Sequence, residues 1–188
     1  MIGPRPELIP KEERSPEIDA VLEERDDIAL EEDLLEDGAR EPEPEPQRRE
    51  PLAFRIKRMP VAARIKLALR GGKEPRQILA RDHVKLVQQC VLHNPRLTLE
   101  EVLAMAKNRS LHGELLRYIA NQRDWVRQYS IRLALVMNPK TPLQISLGLL
   151  AMVQERDMRL LAKSKNVPTV LQAQARRMIL RRGKPGET

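Results

Sequence analysis

From Pro60 onward the chain consists of apolar stretches separated by short polar breaks, and the breaks carry residues that start and stop helices. Within the stretches, apolar residues do not occupy every second position, as they would in strands. The pattern therefore predicts an all-α fold of about nine helices. They are expected over residues 61–70, 76–80, 83–93, 99–107, 113–121, 125–137, 143–153, 156–164 and 169–182.

Several of these helices have a start signal in the sequence. Thr98, followed three residues later by Glu101, matches a capping box. Asp82, Asp124 and Thr141 belong to the residue types whose side chains accept the first free N–H groups of a helix. We expect each of these three residues to be an N-cap.

A stop signal recurs at an almost constant spacing. Asn94-Pro95 returns 44 residues later as Asn138-Pro139, and Gly183 follows 45 residues after Asn138. Asn and Gly tolerate the left-handed backbone conformation that often ends a helix, so these residues are expected to close the third helix of each set. Self-similarity at this period is typical of stacked helical repeats.

Three helices and about 44 residues per set make residues 58–183 similar to armadillo and HEAT repeat proteins, and to the bacterial leucine-rich-repeat variants. The resemblance rests on period, caps and helix count, since no strict consensus motif is present. It implies a right-handed α-solenoid of about three three-helix repeats. It also implies a non-catalytic interaction module whose third helices line a concave binding surface.

Charge divides the chain into two parts. Residues 1–50 hold 7 basic and 18 acidic residues, a net charge of −11, whereas residues 51–188 hold 27 and 9, a net charge of +18. Eight of the 15 prolines lie in residues 1–51 and every aromatic residue follows them, a composition that disfavours a packed core. We therefore expect a disordered acidic arm (1–51), a helical repeat domain (52–183) and a flexible tail (184–188).

Aligning the predicted third helices on their stop residues places polar side chains in two adjacent rows. The rows consist of Gln88, Arg132 and Arg177, and of Lys85, Tyr129 and Gln174. We expect a basic groove that binds an extended or acidic segment of a partner protein. The alternative is an ordinary solvated face without a ligand.

Further basic residues cluster at the two ends of the repeat domain. They are Arg55, Lys57, Arg58, Arg64 and Lys66 at one end, and Arg176, Arg177, Arg181, Arg182 and Lys184 at the other. Such a surplus attracts polyanions, so nucleic-acid binding is the second functional hypothesis. Against it, the sequence has only four aromatic residues for base stacking. Docking of Phe54, Ile56, Ile65 and Leu67 on an anionic membrane is a weaker third hypothesis.

Within the arm, leucines alternate with carboxylates over residues 20–37. Acidic-hydrophobic segments of this kind fold on partners. One hypothesis is that the arm folds back on the basic groove and competes with other polyanions. The other is that it is a solvating tail.

No catalytic, cofactor or metal site is expected. His83, His93 and His112 have no second histidine or cysteine at metal-ligand spacing. The single Cys90 lies in an apolar run, which favours a core position, and one cysteine cannot form an internal disulfide. Without a secretory signal or a membrane-length apolar stretch, we expect a soluble cytoplasmic protein; its oligomeric state stays open.

Overall fold

The computed structural model describes residues 16, 30, 34–35 and 50–182, and in these ranges its regular structure is helical, without a strand. This confirms the all-α prediction for the described part of the chain. The α-helices that follow Pro51 are α1 (Leu52–Arg58), α2 (Val61–Arg70), α3 (Lys73–Leu79), α4 (Lys85–Leu92), α5 (Leu99–Lys107), α6 (Gly113–Asn121), α7 (Arg123–Val126), α8 (Tyr129–Met137), α9 (Leu143–Leu150), α10 (Glu155–Leu161) and α11 (Thr169–Arg182).

These are eleven helices where the sequence predicted about nine. A separate α1 precedes Pro60, because the extended backbone of Met59 (ψ 141°) divides it from α2. The single helix predicted over residues 125–137 is wrong, because Gln128 is also extended (φ −72°, ψ 119°) and α8 begins anew after it. Neither proline nor glycine marks this break, so the sequence held no signal for it.

The predicted capping box at the start of α5 is confirmed. The Thr98 hydroxyl accepts the N–H of Glu101 at 3.3 Å, and the Glu101 carboxylate accepts the N–H of Thr98 at 2.9 Å. Two orphan N–H groups of the helix start are thereby satisfied.

The other three predicted N-caps are wrong. The cap of α4 is Val84, because the Asp82 carboxylate pairs with Arg64 and accepts the N–H of Val84 itself at 2.8 Å. Asp124 lies within α7 with an exposed side chain. The Thr141 hydroxyl instead donates to the carbonyl of Leu135 at 2.6 Å.

The chain divides into two compact units at the boundary between Leu97 and Thr98. In the first unit α2 packs against α3 and α4, and α3 also contacts α1 and α4. In the second unit α5 packs against α6 and α8, and α9 packs against α8 and α11. Three helix sets follow from this packing: α2–α4, α5–α8 and α9–α11. In each set the first helix contacts the last.

Apolar side chains fill the space between the helices of each unit. Those with almost no exposed surface include Ile65, Leu67, Leu69, Val87, Cys90, Val102, Leu116, Ile119, Ile131, Leu135, Leu150, Met158, Leu161 and Leu171. Their burial is the main favourable contribution to folding.

Asn94 ties the end of α4 to the end of α2. It is 4 % exposed, and its Nδ2 donates to the carbonyls of Ala68 at 2.8 Å and Gly71 at 3.4 Å. Its Oδ1 accepts the N–H of Arg96 at 2.9 Å. One carboxamide therefore binds the Ala68 carbonyl at the end of α2 and the Arg96 N–H in the loop after α4.

The second set repeats this arrangement with the second asparagine. Asn138 is also 4 % exposed, and its Nδ2 donates to the carbonyls of Ala106 at 2.8 Å and Asn108 at 3.0 Å, at the end of α5. Its Oδ1 accepts the N–H of Lys140 at 3.0 Å. We call this hydrogen-bond pattern of Asn94 and Asn138 the asparagine clamp.

The third set uses an arginine for a related contact. The guanidinium of Arg182, at the end of α11, donates to the carbonyls of Ala151 at 3.0 Å and Val153 at 3.3 Å, just past the end of α9. The predicted stop residue Gly183 lies outside the described residues. The carbonyls that follow the first helix thus have a side-chain donor from the last helix in all three sets.

Asn138 does end α8, but the predicted reason, a left-handed backbone, is wrong. Its backbone is extended (φ −80°, ψ 119°) and not left-handed, so conformational tolerance does not explain the residue. The position requires the side chain, which supplies two donors and one acceptor in a buried place.

We predict that Asn138→Ala lowers the free energy of unfolding by about 2–3 kcal/mol, because it leaves the buried Ala106 carbonyl without its donor and removes two further hydrogen bonds. Chemical denaturation monitored by circular dichroism measures this loss. The matched control is Asn166→Ala, at an exposed asparagine before α11, which should change the free energy by less than about 0.5 kcal/mol. Equal effects of the two substitutions would contradict the role of the clamp.

Candidate functional site

The six residues of the two predicted rows are distributed over both units. Lys85 and Gln88 belong to the first unit, and the other four belong to the second. The residues of each unit are described by themselves.

On α4, only one of the two predicted residues faces solvent. Lys85 is exposed, whereas Gln88 is 1 % exposed and its Nε2 donates to the carbonyl of Asp82 at 2.7 Å. Gln88 therefore stabilises the loop before α4, and its side chain is not accessible to a ligand. Its spacing from the stop residue did not distinguish these two roles.

On α8, the structure brings Tyr129 and Arg132 together. The guanidinium carbon of Arg132 lies 5.7 Å from the centroid of the Tyr129 ring, a cation–π distance. Both side chains are half-buried, and the buried Nε of Arg132 has no hydrogen-bond partner among the described residues. One turn of α8 thus presents an aromatic ring and a cation side by side.

The Tyr129 hydroxyl is fixed by two hydrogen bonds that the sequence did not predict. It donates a short hydrogen bond to the carboxylate of Asp157 on α10 and accepts the N–H of Gln154 at 3.2 Å. These contacts span 28 and 25 residues of sequence. Asp157 had no predicted role, because no local signal connects it with α8.

These surroundings change the acidity of the phenol. Burial and the hydrogen bond to Asp157 raise the pKa of Tyr129 above its ordinary value of 10.0, against the opposing effects of the Gln154 N–H and Arg132. The neutral phenol therefore favours the folded state up to about pH 10, and this contribution is lost as the pH rises through the folded-state pKa.

On α11, the two predicted residues differ in exposure. Gln174 is half-buried and Arg177 is exposed. Arg177 forms no ion pair within the described part of the chain. The second unit accordingly provides Arg132 and Arg177 as cations that carboxylates of its own described residues do not neutralise.

The basic cluster near α1 and α2 is only partly on the surface. Arg64 and Lys66 are buried, and Arg64 forms an ion pair with the buried carboxylate of Asp82. Arg58 pairs with Glu50 at 3.2 Å at the surface. Arg64 is a structural residue here, because a buried cation needs its partner.

The remaining cations of this cluster lie on α1. Lys57 is exposed with its Nζ 6.0 Å from the centroid of the Phe54 ring, and Arg55 is half-buried. Phe54 is 58 % exposed. Its predicted apolar companions Ile56, Ile65 and Leu67 are all buried, so the apolar contact surface that membrane docking needs is reduced to Phe54.

The C-terminal cluster is likewise divided between structural and free cations. Arg176 donates from Nε and Nη2 to the carbonyl of Ala162 at 3.2 and 3.0 Å, and Arg182 holds the end of α9 as described above. Arg181 and Arg177 are exposed. Lys184 lies outside the described residues.

No grouping suited to metal binding emerges from the described residues. They contain no group of three or more His, Cys, Asp and Glu side chains that could hold a metal ion. Burial raises the pKa of the Cys90 thiol to about 12, so this cysteine stays protonated and unreactive at neutral pH. None of the described helices has the length and apolar character needed to span a membrane.

Comparison with known proteins adds no relative: no protein-family model, curated protein or solved structure matches the chain.

We predict that Asp157→Ala lowers the pKa of Tyr129 toward its ordinary value, because it removes both the hydrogen bond and the negative charge that raise it. Absorbance titration of tyrosinate measures the midpoint, in a Tyr118→Phe background that leaves one tyrosine. The matched control is Asp124→Ala, at an exposed carboxylate, which should leave the midpoint unchanged. An unshifted midpoint in Asp157→Ala would show that the carboxylate does not act on Tyr129.

Proposed function

We propose that this chain is a non-catalytic interaction module, a right-handed α-solenoid of about three helical repeats that binds an acidic or extended segment of a partner protein. The ligand contacts the last helices of the two sets in the second unit, through Tyr129, Arg132, Gln174 and Arg177. A cytoplasmic location is part of the proposal, since the chain holds one free cysteine and no internal disulfide.

The repeat architecture is supported by the recurring contact between the first and last helix of each set. It is also supported by the asparagine clamp. Asn94 and Asn138 each donate to the carbonyl of the residue just after the first helix, Gly71 or Asn108, and each accepts the N–H two residues further on. Helical repeats that stack by such contacts leave an extended polar face for ligands.

The binding proposal rests on one observation: the helical part of the chain has more positive charge than its own acidic residues neutralise. Residues 51–188 have a net charge of +18. Among their arginines, Arg64 is engaged by a buried carboxylate, whereas Arg132 and Arg177 on successive last helices are not. Guanidinium groups bind carboxylates through paired, charge-assisted hydrogen bonds.

Tyr129 adds a positioned group to these cations. Its ring lies beside Arg132, and its hydroxyl is directed by Asp157 and Gln154. A side chain held in this way loses little conformational freedom when a ligand binds. This favours Tyr129 as the point where a peptide backbone crosses α8.

Nucleic-acid binding is the alternative, favoured by the same surplus of charge. The aromatic residues do not form a platform for bases: Trp125 and Tyr118 pack edge to face on each other, with centroids 6.0 Å apart. Phe54 is the aromatic residue with a largely exposed ring. Protein binding therefore remains the leading proposal.

We predict that Arg132→Ala combined with Arg177→Ala weakens binding of an acidic peptide to the full chain by about tenfold, since two charge-assisted contacts are lost. Fluorescence anisotropy with a labelled glutamate-rich peptide measures the affinity. The matched control combines Arg117→Ala with Lys163→Ala, which removes the same charge at exposed positions of α6 and the loop after α10.

A single-stranded oligonucleotide of equal charge is titrated in parallel over a range of salt concentrations. The proposal expects the affinity for the oligonucleotide to fall more steeply with salt than the affinity for the acidic peptide. Salt screens both sets of contacts, but nucleic acid also releases condensed counterions on binding. Tighter oligonucleotide binding that depends on Arg132 and Arg177 would establish the alternative. Equal weakening by the two double variants would contradict a specific surface.

A further inference from the structure

A short segment of the acidic arm contacts the first helix set. Leu34 is completely buried, and its carbonyl accepts the N–H of Gly72 at 2.8 Å. The next carbonyl, of Leu35, accepts the guanidinium of Arg96 at 2.7 Å. Both carbonyls of this leucine pair are thus bound by donors of the first unit.

Leu34 binds the loop between α2 and α3, which consists of two glycines, Gly71 and Gly72. A Cβ atom at Gly71 would lie 2.4 Å from the carbonyl oxygen of Leu67, so only glycine fits there. The Gly71 carbonyl already accepts from Asn94 and from the buried guanidinium of Arg76 at 2.9 Å. The N–H of Gly72 is the donor through which this loop binds the Leu34 carbonyl.

The corresponding loops of the other two sets supply an apolar side chain of their own. Leu111 follows α5 and Val153 follows α9, and both are buried. The first set has only Gly71 and Gly72 between α2 and α3, so its loop contributes no such side chain. Leu34 is the buried leucine found beside this loop instead.

We propose that the first helix set contains a binding site for a leucine-anchored acidic peptide, and that the arm segment around Leu34 and Leu35 is its ligand within this chain. The site consists of the Gly72 N–H, the Arg96 guanidinium and the buried position of Leu34. Five carboxylates flank the leucine pair in sequence: Glu31, Glu32, Asp33, Glu36 and Asp37. This site uses other residues than the groove proposed above, and neither depends on the other.

The contact is small enough to exchange. Among the described residues the contact consists of one buried leucine and two hydrogen bonds, a size that opens locally without global unfolding. A peptide of the same sequence is therefore expected to replace the arm in trans.

The test measures hydrogen exchange of the Gly72 amide by NMR in the full chain. Leu34→Asp should raise its exchange rate by about tenfold or more, because a charge cannot take the buried position and the hydrogen bond opens. A synthetic peptide with the sequence of residues 28–37 should restore the protection. The matched control is Leu35→Asp, the same charge change at a half-buried neighbour, which should raise the rate far less.

Arg96→Ala provides a second test, which leaves the core unchanged because Arg96 is exposed. The control is Lys140→Ala, at the exposed residue that occupies the corresponding position after Asn138. Arg96→Ala alone should weaken peptide binding to the Leu34→Asp chain. Unchanged Gly72 exchange in both Leu34→Asp and Arg96→Ala would overturn the inference. So would a folded Leu34→Asp chain that the peptide fails to protect, since Leu34 would then be a fixed core residue.

Discussion

The carbonyl groups at the end of a helix have no partner within that helix, and this chain satisfies them from another helix. Asn94 and Asn138 each use one buried carboxamide to bind two such carbonyls and one N–H of the following loop. The end of the last helix in a set is thereby held at the end of the first. The 44-residue recurrence of Asn-Pro reflects this contact.

The sequence was informative where structure is local. The Thr98 capping box, most helix ends and the all-α class follow from neighbouring residues, and the structure has them. The errors arise from contacts distant in sequence. The sequence predicts Asp82 as a cap, but its carboxylate pairs with Arg64, 18 residues away. It predicts a left-handed backbone at Asn138, because the partners Ala106 and Asn108 cannot be inferred from spacing.

In the candidate site, too, the sequence predicted local neighbours correctly but not burial by distant helices. Spacing identified Tyr129 and Arg132 as neighbours on one helical face, and they do form a cation–π pair. It could not show that Gln88 and Arg64 point into the protein, since burial depends on the packing of other helices. Cations committed to carbonyls and buried carboxylates stabilise the fold. The exposed cations, together with the bond from Arg96 to the Leu35 carbonyl, make recognition of acidic segments the common feature of both proposed sites.

The most direct measurement of the clamp is hydrogen exchange of asparagine side-chain amides, followed by two-dimensional NMR on the full chain. We expect the carboxamide protons of Asn94 and Asn138 to exchange slowly, because both are buried and hydrogen-bonded to helix-end carbonyls. Those of the exposed Asn121 and Asn166 should exchange at the rate of a free amide. Rapid exchange at both Asn94 and Asn138 would contradict the claim that these side chains hold the helix sets together.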